Sequence, residues 1–94
     1  MQESVPIYRT DQAFWKCFRN LSQQLQQRAN KCFVLLKQDA KHPSLDFKKV
    51  GNGLWSARIS RDYRALAREE NGTLVWFWIG KHDEYIRRIR HQDD

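Results

Sequence analysis

Cysteine is scarce in this chain: Cys17 and Cys32 are the only two among 94 residues. They form no CxxC pair, and the three histidines (His42, His82 and His91) are scattered. A structural zinc site, which needs four clustered thiolate or imidazole ligands, is therefore not expected. Both cysteines fall at apolar-compatible positions in helical patterns, as buried free thiols do in a reducing compartment. Long apolar runs are also missing, and none approaches the ~20 residues that span a bilayer. The N-terminal stretch MQESVPIYRT has neither the basic nor the apolar region of a signal peptide. The expectation is a soluble, cytoplasmic protein with no membrane partner. The four glycines make no Walker loop, no GxGxxG and no GxSxG, so nucleotide-dependent and α/β-hydrolase chemistry find no support, and no cofactor is expected. Asp46, Asp83 and Glu84 do not make a two-carboxylate site. Acid is the scarcer charge, with 11 Asp and Glu against 17 Lys and Arg, a net charge of +6. That excess favours an acidic partner, nucleic acid or protein, without choosing between them.

What is present suffices for one domain over 1–94. Apolar residues make up 40% of the chain and include four Trp, three Tyr and five Phe, enough for one packed interior and too few for two. Residues 5–9 read as a short strand, which Pro6 restricts to an edge or a strand start. Thr10 or Asp11 is the candidate N-cap of the next segment. Phe14, Phe18, Leu21 and Leu25 recur at helical spacing, followed by Leu25, Ala29, Cys32 or Phe33, and Leu36. Asn20-Leu21-Ser22 breaks this pattern, which predicts helices near 11–20 and 22–38 packed as a hairpin. Pro43 ends the second helix.

A meander follows, with strands near 45–50, 54–60 and 63–69 and then a fourth run, Thr73 to Ile79. Asn52-Gly53 and Asn71-Gly72 are turn signals of the type I′ class. Strand parity sets Trp55, Ala57 and Ile59 against Ser56, Arg58 and Ser60, and Tyr63, Ala65 and Ala67 against Arg64, Leu66 and Arg68. In the fourth run, Leu74, Trp76 and Trp78 oppose Val75, Phe77 and Ile79; a strand apolar on both faces is central. Asp83 to Arg90 reads as a short helix with its acidic end first, as the helix dipole favours. His91 to Asp94 reads as a frayed tail. The fold class is α+β: an N-terminal helical hairpin on one face of a small, mostly antiparallel sheet, in the order β-α-α-β-β-β with a short C-terminal helix.

Arg58, Arg61, Arg64 and Arg68 stand close together in this second half. Taken alone, such a charge run reads as a solvated sheet face paired with Glu69 or Glu70. A sheet with helices on one side only leaves its second face open, and an arginine cluster there has no packing purpose. The planar fork of arginine fits phosphate in a bidentate manner. His82 follows Gly80-Lys81 at a strand end, and Tyr85 lies one helical turn on. Their plainer readings are a surface histidine and a core aromatic with an exposed hydroxyl. Together these residues supply the parts for RNA cleavage by the 2′-hydroxyl. Imidazole moves protons near neutral pH, arginines hold the phosphate, and tyrosine stacks on a base or stabilises the attacking oxygen. On this reading Arg64 points to the open face with Arg68 nearby, and His82 and Tyr85 stand at the rim.

Several runs carry a family resemblance: His42-Pro43-Ser44-Leu45, Trp55-Ser56-Ala57-Arg58-Ile59, Asp62-Tyr63-Arg64-Ala65-Leu66 and Trp76-Phe77-Trp78-Ile79-Gly80-Lys81-His82-Asp83-Glu84-Tyr85. Their order, after a short strand and a helical hairpin, resembles the RelE/ParE superfamily of toxins from type II toxin–antitoxin systems, in particular its ParE-like branch. The resemblance covers nearly the whole chain. It implies a toxin held inactive by an acidic, partly disordered antitoxin. RelE-type members cut mRNA on the ribosome, and ParE-type members poison DNA gyrase.

Carried over by position, Arg64 matches the strand arginine of the Tyr-Arg pair that RelE-type enzymes use at the phosphate. Arg58 sits near a second basic position, Lys81 or His82 falls where a basic residue follows the last core strand, and Tyr85 lies near the late tyrosine. The resemblance thus makes Arg58, Arg64, His82 and Tyr85 the candidate catalytic set of a metal-independent endoribonuclease; Arg61 and Arg68, from the arginine run, and Lys81 are the candidate nucleic-acid-binding residues. RelE-type enzymes often carry strand lysines where this chain has Trp55 and Ala57. Three readings stay open: a ribosome-dependent mRNA endoribonuclease, a non-enzymatic gyrase inhibitor, and a non-toxic basic nucleic-acid-binding module.

Overall fold

The computed structural model describes residues 7–92. Two side-chain caps set its helical hairpin. Asp11 Oδ1 accepts from Phe14 N at 3.0 Å and starts α1 (Gln12–Arg19). Ser22 Oγ accepts from Leu25 N at 3.2 Å and starts α2 (Gln23–Gln38). Each cap satisfies an N–H group that the first helical turn leaves without a partner. The break therefore falls at Asn20-Leu21-Ser22, as its capping residues predict. Phe14 on α1 meets Phe33 on α2 edge to face, with centroids 5.6 Å apart.

Among the described residues the sheet has five strands in the order β1-β5-β4-β3-β2, one more than the β-α-α-β-β-β scheme. They are β1 (Ile7–Thr10), β2 (Lys48–Gly51), β3 (Leu54–Ser60), β4 (Tyr63–Glu70) and β5 (Thr73–Lys81). Among the described residues, only the β1–β5 pair is parallel. β1 is an edge strand, and the expected strand residues Val5 and Pro6 lie outside the described region. The central position of β5 agrees with its apolar character on both faces.

Three local expectations need correction. The run 45–50 is not strand throughout. Pro43–Leu45 forms a 3₁₀ turn in which Ser44 N donates to His42 Nδ1 at 3.2 Å, Leu45 is buried, and Asp46 turns the chain in the left-handed region at φ 43°. Strand pairing therefore begins only at Lys48. The Asn71-Gly72 turn has positive φ at both residues (52° and 81°), as a type I′ turn requires, but in Asn52-Gly53 only the glycine does (69°). A register shift between Lys49 and Gly51 takes up an extra residue there.

The third correction concerns faces. Leu74, Trp76 and Ile79 pack with Phe14, Ala29 and Leu36 beneath the helical hairpin, whereas Trp78 packs with Leu54 and Leu66 on the other side. A bulge in the β4–β5 register, between Leu66 and Ala67, shifts the alternation by one residue. Trp78 and Ile79 thus exchange the faces that simple parity assigns them.

The second face of the sheet is not open. The last helix, α3 (His82–Gln92), is longer than the expected 83–90 and packs there, with Tyr85 buried and Ile86 and Ile89 half-buried against Trp78, Leu54 and Leu66. His91 and Gln92 belong to this helix, and Asp93 and Asp94 of the expected tail lie outside the described residues. No helix among the described residues is long and apolar enough to cross a membrane.

Candidate functional site

Strand register gathers most of the candidate residues at one end of the sheet. Arg58, Arg64 and Gly80 stand side by side across β3, β4 and β5. In the next row, Ser60, Tyr63 and Lys81 align. Arg61 and Asp62 make the connection between β3 and β4, and the Asp62 carbonyl accepts from His82 N at 2.8 Å. That bond ties the start of α3 to the turn carrying Arg61. Asp62, Tyr63, Lys81, His82 and Asp83 line an open pocket of about 360 Å³.

Arg64 is the most enclosed of the cations, its side chain only 15% exposed. Its guanidinium carbon lies 5.8 Å from the centre of the Tyr85 ring, within range of a cation–π contact. Nη1 is 3.5 Å from Asp46 Oδ2. The buried Nε has no acceptor among the described residues. Arg58, opposite Arg64, is exposed. His82 is half-buried, with its ring centre 5.4 Å from that of Tyr85.

The expected geometry changes at three residues. Tyr85 does not stand at an open rim. It is 5% exposed, and its hydroxyl donates to the buried Ser56 Oγ at 3.2 Å. Arg64 is not on a solvated face, because α3 brings Tyr85 over it. Arg68 is apart from the cluster, four residues along β4 and so about 13 Å away. It bonds Glu70 and Asp11, and lies over the Phe77 ring. The hydrogen bond to Glu70 raises its pKa above the ordinary arginine value, with Asp11 adding to the effect. Arg68 thus anchors the α1 cap to the sheet. Asp46, Ser56 and Trp78 support the site without having been singled out in the sequence. Ser56 and Trp78 lie within the runs that carry the resemblance, but nothing in those runs assigns them a place at the site.

The buried hydroxyl leads to a direct test. Tyr85→Phe removes the bond to Ser56 and is expected to cost about 1 kcal/mol of stability, as one buried hydrogen bond does. It keeps the ring beneath Arg64. Thermal melts are expected to show a folded protein with that small loss. An unchanged melting temperature would mean that the Tyr85 hydroxyl is equally well satisfied without Ser56.

Among the described residues, no three His, Cys, Asp or Glu side chains gather as metal ligands. The profile of the ParE-like toxin domain matches residues 23–87. No curated protein matches the chain. Among solved structures, the chain is similar to YafQ from E. coli strain BL21(DE3), with a TM-score of 0.68 at 10% identity over 86% of this chain and 98% of that one. It is similar to a chain of the RelB–RelE antitoxin–toxin complex from Methanococcus jannaschii, with a TM-score of 0.66 at 12% identity over 85% and 96%. A chain of the toxin–antitoxin complex RelBE2 from Mycobacterium tuberculosis gives 0.64 at 20% identity over 83% and 100%. At these identities the likeness is one of fold.

Proposed function

The chain belongs to the ParE-like toxin family, within the RelE/ParE superfamily of toxin–antitoxin toxins, and on that premise we propose that it is a ribosome-dependent mRNA endoribonuclease of the cytoplasm, held inactive by an acidic antitoxin. The observation that carries the reading is Arg64: enclosed, oriented by Asp46 and Tyr85, and set beside Arg58 in one row of the sheet. The guanidinium fork of arginine suits a phosphate, and Arg58, exposed opposite Arg64, adds a second cation. Two similar solved structures are toxin–antitoxin complexes, which supports an antitoxin partner.

In the proposed reaction the RNA 2′-oxygen attacks phosphorus while the bond from phosphorus to the 5′-oxygen breaks. The products are a 2′,3′-cyclic phosphate and a 5′-hydroxyl. His82 transfers the proton at one of the two oxygens, and the other oxygen exchanges its proton with water. Arg64 and Arg58 stabilise the charge that builds on the phosphate. Tyr85 acts as the platform beneath Arg64. Lys81, which lines the pocket, and Arg61, in the β3–β4 connection next to Asp62, hold the RNA backbone.

A gyrase-type toxin is the second reading, favoured by Trp55 and Ala57. Both pack with the hydrophobic cluster beneath the helices, at positions where RelE-type enzymes often present lysines. Induction followed by mapping of mRNA ends separates the two. The expected outcome is new 5′-hydroxyl ends within translated messages. Intact messages with DNA breaks and filamentation would replace the nuclease reading with the gyrase one.

A further inference from the structure

A second hollow lies where α2 passes the end of β3. Its volume is about 600 Å³, within the ~300–1,000 Å³ of small-molecule sites. Leu25, Leu35 and Ile59, buried or half-buried, form the apolar part of its wall. Gln24, Gln27, Arg28 and Lys31 form the polar part, and all four are exposed on α2. Arg28 Nε donates to the Ile59 carbonyl at 2.9 Å, which ties this arginine to the strand end. A guanidinium anchored through Nε still presents both Nη groups to an anion. Among the described residues no acid lines the hollow, and neither Arg28 nor Lys31 forms an ion pair. The hollow also borders the nuclease pocket. Ser60 lines the first, and its register partner Tyr63 lines the second. Arg61, exposed, follows Ser60 in the connection between the two strands.

We propose that this hollow is a second nucleotide subsite of the nuclease: a nucleotide of the same RNA strand, flanking the cut, lays its phosphate on Arg28 and Lys31 and its base against Leu25 and Leu35. The proposal rests on the nuclease reading above. Cations without carboxylates beside them suit a phosphate, and phosphate contacts fix the register of a strand without reading its sequence. Gln24 and Gln27 add what reads sequence. An amide offers a donor pair and an acceptor together, as the edge of an unpaired base does. The route from one pocket to the other runs round the end of the sheet, past Ser60, Tyr63 and Arg61. An RNA chain bent round this end places its scissile step at Arg64 and a neighbouring nucleotide on α2. The hollow would thus set which base stands beside the cut, while Arg64 and His82 act on any phosphate brought to them. An acidic protein would satisfy the two cations equally, but it gives no reason for the paired amides or for the continuity with the nuclease pocket.

The experiment uses the full chain and compares the parent with Lys31→Glu, Gln27→Ala and a charge control, Lys37→Glu. All three positions are exposed on α2, and Lys37 does not line the hollow. Thermal melts confirm that each variant is folded. Binding of a mixed-sequence, uncleavable 2′-O-methyl RNA decamer is read by fluorescence anisotropy. Lys31→Glu is expected to weaken it at least tenfold, by an amount that shrinks as salt rises, and Lys37→Glu less than threefold. Mapping of mRNA ends after induction is expected to show a base preference beside the cut in the parent that flattens in Gln27→Ala. Equal decamer affinity in Lys31→Glu and Lys37→Glu, or an unchanged base preference in Gln27→Ala, would overturn the subsite and leave the nuclease reading standing. Loss of affinity for the acidic companion protein in Lys31→Glu, with RNA affinity unchanged, would overturn it in favour of a protein surface. A parent that generates no new 5′-hydroxyl ends would overturn the nuclease reading, and this proposal with it.

Discussion

Arg64→Ala is expected to lower growth inhibition at least a hundredfold while the domain stays folded. Loss of one positioned donor to a reacting oxyanion typically costs about 3 kcal/mol of transition-state stabilisation, which is a factor of 100 or more in rate. The stability cost is larger than an exposed strand arginine would incur. The side chain is 15% exposed and lies over the Tyr85 ring, so its removal forfeits stem packing and a cation–π contact, together about 1–2 kcal/mol. Asp46 loses a partner but keeps water access and its pair with Lys48, so no buried charge is stranded. In a domain of this size the melting temperature should fall by roughly 4–8 °C per kcal/mol. Arg64→Lys is the companion variant. It retains the charge without the planar fork and is expected to recover folding more fully than toxicity. Growth after induction, paired with thermal melts, reads both effects. A folded Arg64→Ala protein with full toxicity would remove Arg64 from the site and shift the balance to the gyrase-type reading.

Gly80→Ala should be the most disruptive single-methyl change at the site. A Cβ built on Gly80 would lie 2.5 Å from Cζ2 of Trp78, closer than side-chain atoms approach. Trp78 cannot swing aside, because it is buried among Leu54, Leu66 and Tyr85 and has the Arg88 guanidinium 5.0 Å from its ring centre. Forcing a methyl into such a core costs about 1–3 kcal/mol. Here the displaced indole is part of the bed of α3, so Tyr85 and His82 should move with it. Chemical denaturation should show the lost stability, and toxicity should fall even where the variant remains mostly folded. An unchanged denaturation midpoint would mean that Trp78 has more room than its packing indicates.

The residues of the site were legible to different degrees. Arg64 and Arg58 stood out because strand parity and the Tyr-Arg run pointed to them, and register sets them side by side. His82 was visible as a basic residue after a strand-ending Gly80-Lys81. The environment of Tyr85 was not visible, because its hydroxyl partner Ser56 is 29 positions away. Arg68 read as a fourth member of the arginine cluster, yet its fixing contact is Asp11, 57 positions away. Spacing along one strand tells which face a side chain takes; it does not tell which distant carboxylate will reach it.

The sequence by itself determined the elements whose causes are local. Asp11 and Ser22 start the helices because their side chains accept the first unbonded N–H groups. Asn71-Gly72 closes a hairpin because both residues tolerate positive φ. Alternation in β3 and β4 separates the helix-facing residues from the arginines. Only the tertiary structure decided that α3 covers the second face, that Trp78 rather than Ile79 lies beneath it, and that Arg64 is enclosed between Asp46 and Tyr85. The physical reason is that one extra residue in the β4–β5 ladder reverses the faces beyond it, and that a short amphipathic helix buries its apolar side wherever the folded sheet leaves apolar surface uncovered.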